Sequence, residues 1–387
     1  MTDHLLSEFE TRSTSLHDEL GHFISRRAVI DERHARIARL LQEVGCDGVL
    51  IQEPTNFRWL TAGAEPRGLI GREERPALYF SDQMRWLLCS SIDSQRFFDE
   101  ELDSLGFQLK EWSWMHSREK LLSEMVYTRK FAGDVPFKDG KVLGPFLIQE
   151  RRVLNDWEQG ILSQLGRQLA HALEATARDF RAGETEDEIA GQIAHRLYKH
   201  GIEPLGIEVH GDGRSGEYTR RGVRALAVNH WAVLQATGRW RGLHVTAART
   251  VSIGQPAKEL LDAYAMAHRL CAAQLHLATV NDRMNRVYDV AKQFLKDTAW
   301  EHDWRKYPAV IFTGRDSIEQ ILSPTNAAGW KEYGGVLFQQ RLADSILMDT
   351  YLLDFSGWKL VTTAQDWPIR MAILNGKKYP KADMLIR

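Results

Sequence analysis

Two long helices in immediate succession limit the folds open to this chain. Across residues 157–180, Trp157, Ile161, Leu165, Leu169, Leu173, Ala177 and Phe180 recur at steps of three and four, which lays an apolar stripe along one side of a helix. Gly183 then stands where a helix C-terminus accepts a left-handed residue. Thr185 and Glu188 form a T-x-x-E capping box ahead of Ile189, Ile193 and Leu197, and Gly201 ends the second helix. Stripes this long need a flat partner. The runs "AVLQATGRWRGLHVTAARTVSI", "GVLFQQRLADSILMDTYLL" and "KLVTT" carry short strand-like stretches broken by Gly or polar turns, so antiparallel sheet is the expected partner. Two further helices, about 257–279 and about 284–297, are expected between those strands.

The N-terminal third has a different rhythm. In "ERHARIARLLQEVGCDGVLIQ" (32–52), Ile37, Leu40, Leu41 and Val44 follow helical spacing, Gly45 stops the helix, and "GVLIQ" reads as a buried strand. "ALYF" and "MRWLLCS" predict a hairpin; "IDSQRFFDEELDSLG" returns to helix before a strand at "FQLKEW". This alternation specifies an α/β layer domain. The turn-rich "DVPFKDGKVLGPF" (134–146) marks its end. The expected organisation is therefore two domains, 1–145 and 146–387, and 387 residues suffice for two full cores.

Charge and composition remove several function classes from the expectation. A formal net charge of −2 with both signs interspersed offers no basic stripe for nucleic acid. No run of about 18 apolar residues is present to span a membrane. The first residues lack an apolar signal-peptide core, and Cys46, Cys89 and Cys271 form neither a C-x-x-C pair nor a disulfide framework. A reducing cytoplasm is the expected location.

Four segments carry a family resemblance. "ERHARIARLLQEVGCDGVLIQEPTNFRWLTAG" resembles an N-domain pattern ending in P-x-N-x-x-Y-L-T-G, and "RAGETEDEIAGQIAHRLYKHGI" a helix start of the form G-x-T-E-x-E-[IL]-A. "VLQATGRWRGLHVTAARTVSIG" resembles a hairpin containing G-Y-x-x-D-I-T-R-T-x-x-x-G, and "QRLADSILM" a strand of the form R-x-E-D-x-x-x-V. In this order they resemble the creatinase, prolidase and aminopeptidase P family. The resemblance implies a two-domain α/β protein: a creatinase-like N-terminal domain, then a pita-bread α+β domain with a curved antiparallel sheet. It also implies a homodimer in which the N-domain reaches the partner's pocket.

The family's hydrolases hold two divalent cations with two Asp, one His and two Glu, because a dimetal centre needs anionic oxygens to bind hard cations and activate water. Counting along the motifs puts the Asp positions on Gln235 and Thr246 and the last Glu on Ala343. The His falls near Thr313 and the other Glu near Ser323. Three carboxylates are thereby replaced by a carboxamide, a hydroxyl and a methyl, so neither metal nor another cofactor is expected. The metal-free chemistry of creatinase is not expected either: its His position falls on Tyr218, and its two Glu positions on Ala248 and Ala343.

The polar equipment left to such a pocket is His210, Tyr218 and His244 as acid/base candidates. Gln235, Trp240, Thr246, Thr313, Arg315, Arg341 and Asp344 are the substrate-binding candidates, with Arg67 and Arg72 from an N-domain loop. Other roles stay open: His244 as a packed structural histidine, Arg341 and Asp344 as a structural ion pair, the loop arginines as solvated charge. The resulting expectation is a metal-independent enzyme for a small, nitrogenous, carboxylate-bearing molecule, hydrolysing or eliminating at a C–N bond. The alternatives are a catalytically silent protein that binds a peptide or protein partner, and an Xaa-Pro peptidase with displaced metal ligands.

Overall fold

The computed structural model describes residues 26–66, 75–217, 222–330, 333–354, 356–363 and 366–387. Tyr218, Arg67 and Arg72 lie outside the described residues. The chain divides into two compact units, Met1–Leu147 with Asn155–Trp157, and Ile148–Leu154 with Glu158–Arg387.

In the N-terminal unit, helix α1 (Arg26–Val44) buries Val29, Ile30, Ile37, Leu40 and Leu41. Gly45 follows at φ 65°, a left-handed stop that glycine accepts without a Cβ clash. The chain then enters β1 (Gly48–Ile51), buried at all four positions, as an uninterrupted apolar run requires. β2 (Ala77–Phe80), β3 (Arg85–Ser90), β4 (Gln108–Trp112), β5 (Phe131–Gly133) and β6 (Lys141–Val142) complete a six-stranded mixed sheet in the order β4-β3-β2-β1-β5-β6. The expected helix over 92–106 is cut short to Ser94–Arg96 followed by one wide turn, Phe97–Glu101.

In the C-terminal unit the two leading helices form as their stripes predict: α2 (Asp156–Asp179) and α3 (Glu186–Lys199). The capping box closes in both directions, Glu188 N–H donating to Thr185 Oγ1 at 3.3 Å and Thr185 N–H to Glu188 Oε2 at 2.8 Å. β7 (Glu203–Gly211), β8 (Trp231–Trp240) and β9 (Leu243–Ser252) form an antiparallel sheet, completed along β9 by the C-terminal β17 (Leu385–Ile386). Arg241 and Gly242, at φ 49° and 74°, make the two-residue turn between β8 and β9, and such a turn fixes the register outward from Trp240 opposite Leu243. Leu234, Ala236 and Gly238 therefore share one face of β8, with Gln235 and Thr237 on the other. At Gly238 an added Cβ would stand 2.8 Å from Ile202 and 3.1 Å from Leu169 of α2, so the helical layer presses on that face.

A second antiparallel sheet contains β10 (Val310–Phe312), β11 (Gln320–Ile321), β12 (Tyr333–Leu342), β13 (Ser345–Asp354) and β14 (Gly357–Leu360), in the order β11-β10-β12-β13-β14. Its outer face packs Phe338 and Tyr351 against Cys271, Leu275 and Tyr288, residues of α4 (Lys258–Leu277) and α5 (Arg286–Leu295). The two sheets meet where Thr350 Oγ1 accepts from Thr246 N–H at 3.1 Å and donates to Thr246 O at 2.8 Å. Between their inner faces Val233, Ala248, Ile311, Leu337, Ile346 and Met348 form an apolar floor. A hairpin, β15 (Ile369–Leu374) and β16 (Lys377–Ala382), closes over α4. Among the described residues no helix is long and apolar enough to cross a membrane.

Candidate functional site

The inner faces of the two sheets enclose a cavity of about 280 Å³. Strand alternation decides what reaches it. From β8 come Gln235 and Thr237, from β9 Thr246, from β12 Leu337, Gln339 and Arg341, and from β13 Met348. Edge strand β7 adds Leu205, Gly206 and Glu208, and the β10–β11 segment adds Tyr307, Pro308, Ile311, Ser317, Ile318 and Ile321. Among the described residues, Glu208 and Arg341 are the charged residues of this wall, one of each sign.

A polar row runs across it. Glu208 and Gln235 are direct cross-strand neighbours, and Arg341 Nη2 donates to Gln235 Oε1 at 3.3 Å. Thr237 and Thr246, also paired across the hairpin, share a hydrogen bond of 2.8 Å between their hydroxyls. Behind Glu208 stands His210, two residues on and hence on the same strand face. Its Nε2–H donates to Glu208 Oε2 at 3.0 Å, since a carboxylate can only accept. The imidazole is buried while a quarter of the Glu208 side chain remains exposed, and His210 Nδ1 is buried without a hydrogen-bond partner. The pair thus joins a solvent-facing carboxylate to an enclosed imidazole that holds it in place.

The sequence candidates separate into two groups. Gln235, Thr246 and Arg341 line the cavity, and His210 touches it through Glu208. The others are engaged elsewhere. His244 is buried, and its N–H and its Nδ1–H both point to Gly314 O, at 2.6 and 3.2 Å. Trp240 is half-buried at the end of β8 with the Arg241 guanidinium 5.0 Å from its ring centre. Thr313 donates to Asp316 O at 2.8 Å. Arg315 is clamped by Glu158 Oε2 at 2.6 Å and Arg151 O at 2.5 Å. Asp344 accepts from Gly216 N–H at 2.6 Å, an anchor for the segment after β7. Tyr218, Arg67 and Arg72 fall outside the described residues.

Motif counting also needs correction at three positions. Ala343 is exposed at φ 47° in the turn joining Leu342 to Ser345, so it cannot face the cavity. The β13 residue that does is Met348, which precedes Asp349. Neither Thr313 nor Ser323 lines the cavity; Ser317 and Gln339 do. Sequence reading missed Glu208, Ser317, Gln339 and Met348. For two of them a signal existed: Glu208 shares a two-residue step with His210, and Gln339 with Arg341, the spacing that puts side chains on one face of a strand. Among the described residues no group of three or more His, Cys, Asp and Glu is placed to hold a metal ion.

The opposite face of the same strands holds a closed charge cluster. Arg249 donates to Glu174 Oε1 at 2.9 Å, Asp349 Oδ1 at 3.0 Å, Ala248 O at 2.9 Å and Thr362 O at 2.9 Å. Lys381 Nζ lies 3.6 Å from Asp349 Oδ2. Two cations and two anions are matched with almost no water contact.

Residues 161–315 match the profile of metallopeptidase family M24. Solved structures with the same fold include the prolidase from Pyrococcus horikoshii OT3, at TM-score 0.73 and 13% identity, covering 86% of this chain and 99% of that one. The X-Pro aminopeptidase from Thermotoga maritima MSB8 superposes at TM-score 0.73 and 18% identity, covering 86% and 98%. The N-terminal domain of the FACT complex subunit SPT16 from Cicer arietinum, chickpea, does so at TM-score 0.61 and 11% identity, covering 87% and 95%. At these identities the likeness establishes the fold, the pita-bread architecture. No curated protein matches the sequence.

Proposed function

We propose, from the match of residues 161–315 to metallopeptidase family M24, that this chain is a metal-independent enzyme. Its substrate is a small molecule carrying both a basic nitrogen and a carboxylate. The observation that carries this reading is the polar row: a carboxylate, Glu208, and a guanidinium, Arg341, bound the cavity with the neutral Gln235 between them.

The walls argue against a dimetal centre. On the segments where the family places its ligands, the cavity-facing residues are Gln235, Thr246, Ser317, Gln339 and Met348. Two carboxamides, two hydroxyls and a thioether supply no negative charge, and the Arg341 guanidinium beside Gln235 adds a positive one. That donor set does not fit two hard dications. The same five residues can instead hold a polar organic ligand through neutral hydrogen bonds, and a ligand with no formal charge at its centre costs less to desolvate there.

Arg341 suits a carboxylate, which it can grip with two parallel N–H donors. Glu208 suits the nitrogen end, where it acts as general base, held in place by the Nε2–H of His210. Hydrolysis or elimination at a C–N bond is the reaction class this pair supports. The protein acts as a homodimer in this reading, which sedimentation tests directly.

The deciding experiment is elemental analysis of the purified protein with a thermal-shift screen of amino acids, guanidino acids and betaines, with and without manganese. A shift with one zwitterion that Arg341→Met abolishes supports the reading. Stoichiometric metal, or stabilisation by manganese, overturns it. A second reading rests on the mouth, where Leu205, Ile318 and Ile321 are each more than two-fifths exposed. Such a rim suits apolar side chains of a peptide. Binding of extended peptides with no turnover of any zwitterion would favour that reading, in keeping with the fold shared with the SPT16 domain.

A further inference from the structure

Lys381 is 1% exposed and Cys271 fully buried, and the nearest polar neighbour of the Lys381 ammonium is not a carboxylate. Its Nζ lies 2.8 Å from Cys271 Sγ and 3.6 Å from Asp349 Oδ2. A buried cation ordinarily takes its shortest contacts from oxygen anions. The separation is also short for a hydrogen bond to sulfur, since N–H···O bonds to the smaller oxygen already lie near 2.9–3.0 Å. One oxygen atom inserted between the two would join them through ordinary single bonds with little movement of either chain.

We propose that Cys271 and Lys381 are a covalent modification site, forming an Nζ–O–Sγ cross-link with dioxygen as the oxidant. Sulfur and nitrogen each give up two electrons, and dioxygen accepts four. One oxygen becomes the bridge, and the other leaves as water with the thiol hydrogen and one amine hydrogen. The extra proton of the ammonium passes to Asp349. Charge balance in the cluster survives the step: Lys381 and Asp349 become neutral together, and Arg249 keeps Glu174 as its counter-ion at 2.9 Å.

The link ties α4 to the β15–β16 hairpin across 110 residues of chain. Closing so long a loop removes conformational freedom mainly from the unfolded state, so the cross-linked protein should unfold at a temperature several degrees higher. A sulfur held in a bond of this kind is reopened by thiol reductants. The site is thus a reversible fastener, closed in an oxidising setting and open in a reducing one.

The test is peptide mapping by mass spectrometry of the full-length protein, exposed to air or kept in dithiothreitol. The expected product is a linked pair of peptides containing Cys271 and Lys381, heavier than their sum by one oxygen and lighter by two hydrogens. It should disappear on reduction and be absent from Cys271→Ser and Lys381→Arg. The wild-type map is decisive even if either variant folds poorly. Recovery of only the separate peptides after air exposure, or of Cys271 only as sulfinic acid, overturns the proposal.

Discussion

The two faces of the β8–β9 and β12–β13 strands solve opposite problems with similar residues. On the closed face, Arg249, Glu174, Asp349 and Lys381 form a dry cluster in which the Arg249 guanidinium makes four hydrogen bonds. On the open face, Glu208 accepts from His210 at 3.0 Å and Arg341 donates to the neutral Gln235 at 3.3 Å, both at the cavity wall. Met348 and Asp349 are adjacent in sequence yet serve different faces. The closed face binds opposite charges to each other and gains a defined structure; the open face sets its two charged groups beside neutral partners on the wall of a cavity. Function is expected where charged groups line a cavity and not where they are matched in a dry core.

The largest effect should come from breaking the closed face. Arg249→Leu leaves Glu174 and Asp349 buried without their cation, which should cost about 3–5 kcal/mol. Calorimetry should show a fall in Tm on the order of 10 °C. A loss below about 1 kcal/mol would mean the two faces do not differ as described. On the open face the order of effects reverses. Glu208→Gln should lower kcat by about 10²–10⁴ and change stability by no more than about 0.5 kcal/mol, read from turnover and urea denaturation of the same preparation.

Next is a pH effect confined to the closed side. Burial pushes the His268 pKa down to about 3, with Lys381 and Arg370 nearby adding to the shift. In the unfolded chain the ring titrates near 6.5, so the unfolded state takes up a proton that the native state refuses. This contribution to stability is complete above about pH 6.5 and declines as the pH falls toward about 3. His268→Gln should flatten that part of the profile between about pH 6.5 and pH 5, where few carboxylates titrate; identical wild-type and variant slopes in denaturant titrations would remove the assignment. The smallest effect tests a site remote from both faces. Thr185→Ala, which opens the capping box of α3, should cost about 1 kcal/mol, and turnover should not change.

The sequence makes the scaffold legible because its signals are local. The stripe from Trp157 to Phe180, the box at Thr185 and Glu188, and the turn at Gly242 each act within a few residues. The cavity is harder to read because its walls are assembled from strands distant in the chain. Motif counting leads to Gln235 and Thr246, which line the cavity. Ser317, Gln339 and Met348 were missed because register, not motif, decides which residue faces inward. Counting from Asp344 led to Ala343 in a turn; Asp349, which holds Arg249, leads to Met348 on the wall. Glu208 was hidden for another reason: a glutamate on a half-exposed edge strand looks like ordinary solvated charge.

The two-residue turn at Ala343 and Asp344 sets which of Met348 and Asp349 looks into the cavity. Adding or removing one residue there would swap them, emptying the ion cluster and placing a carboxylate among the apolar floor residues at a stroke. Descendants of such a chain can therefore revise the chemistry of their cavity letter by letter through substitution. They are barred from doing it by insertion or deletion in this hairpin, and the length of that turn should vary less over evolutionary time than the identity of the residues it aims.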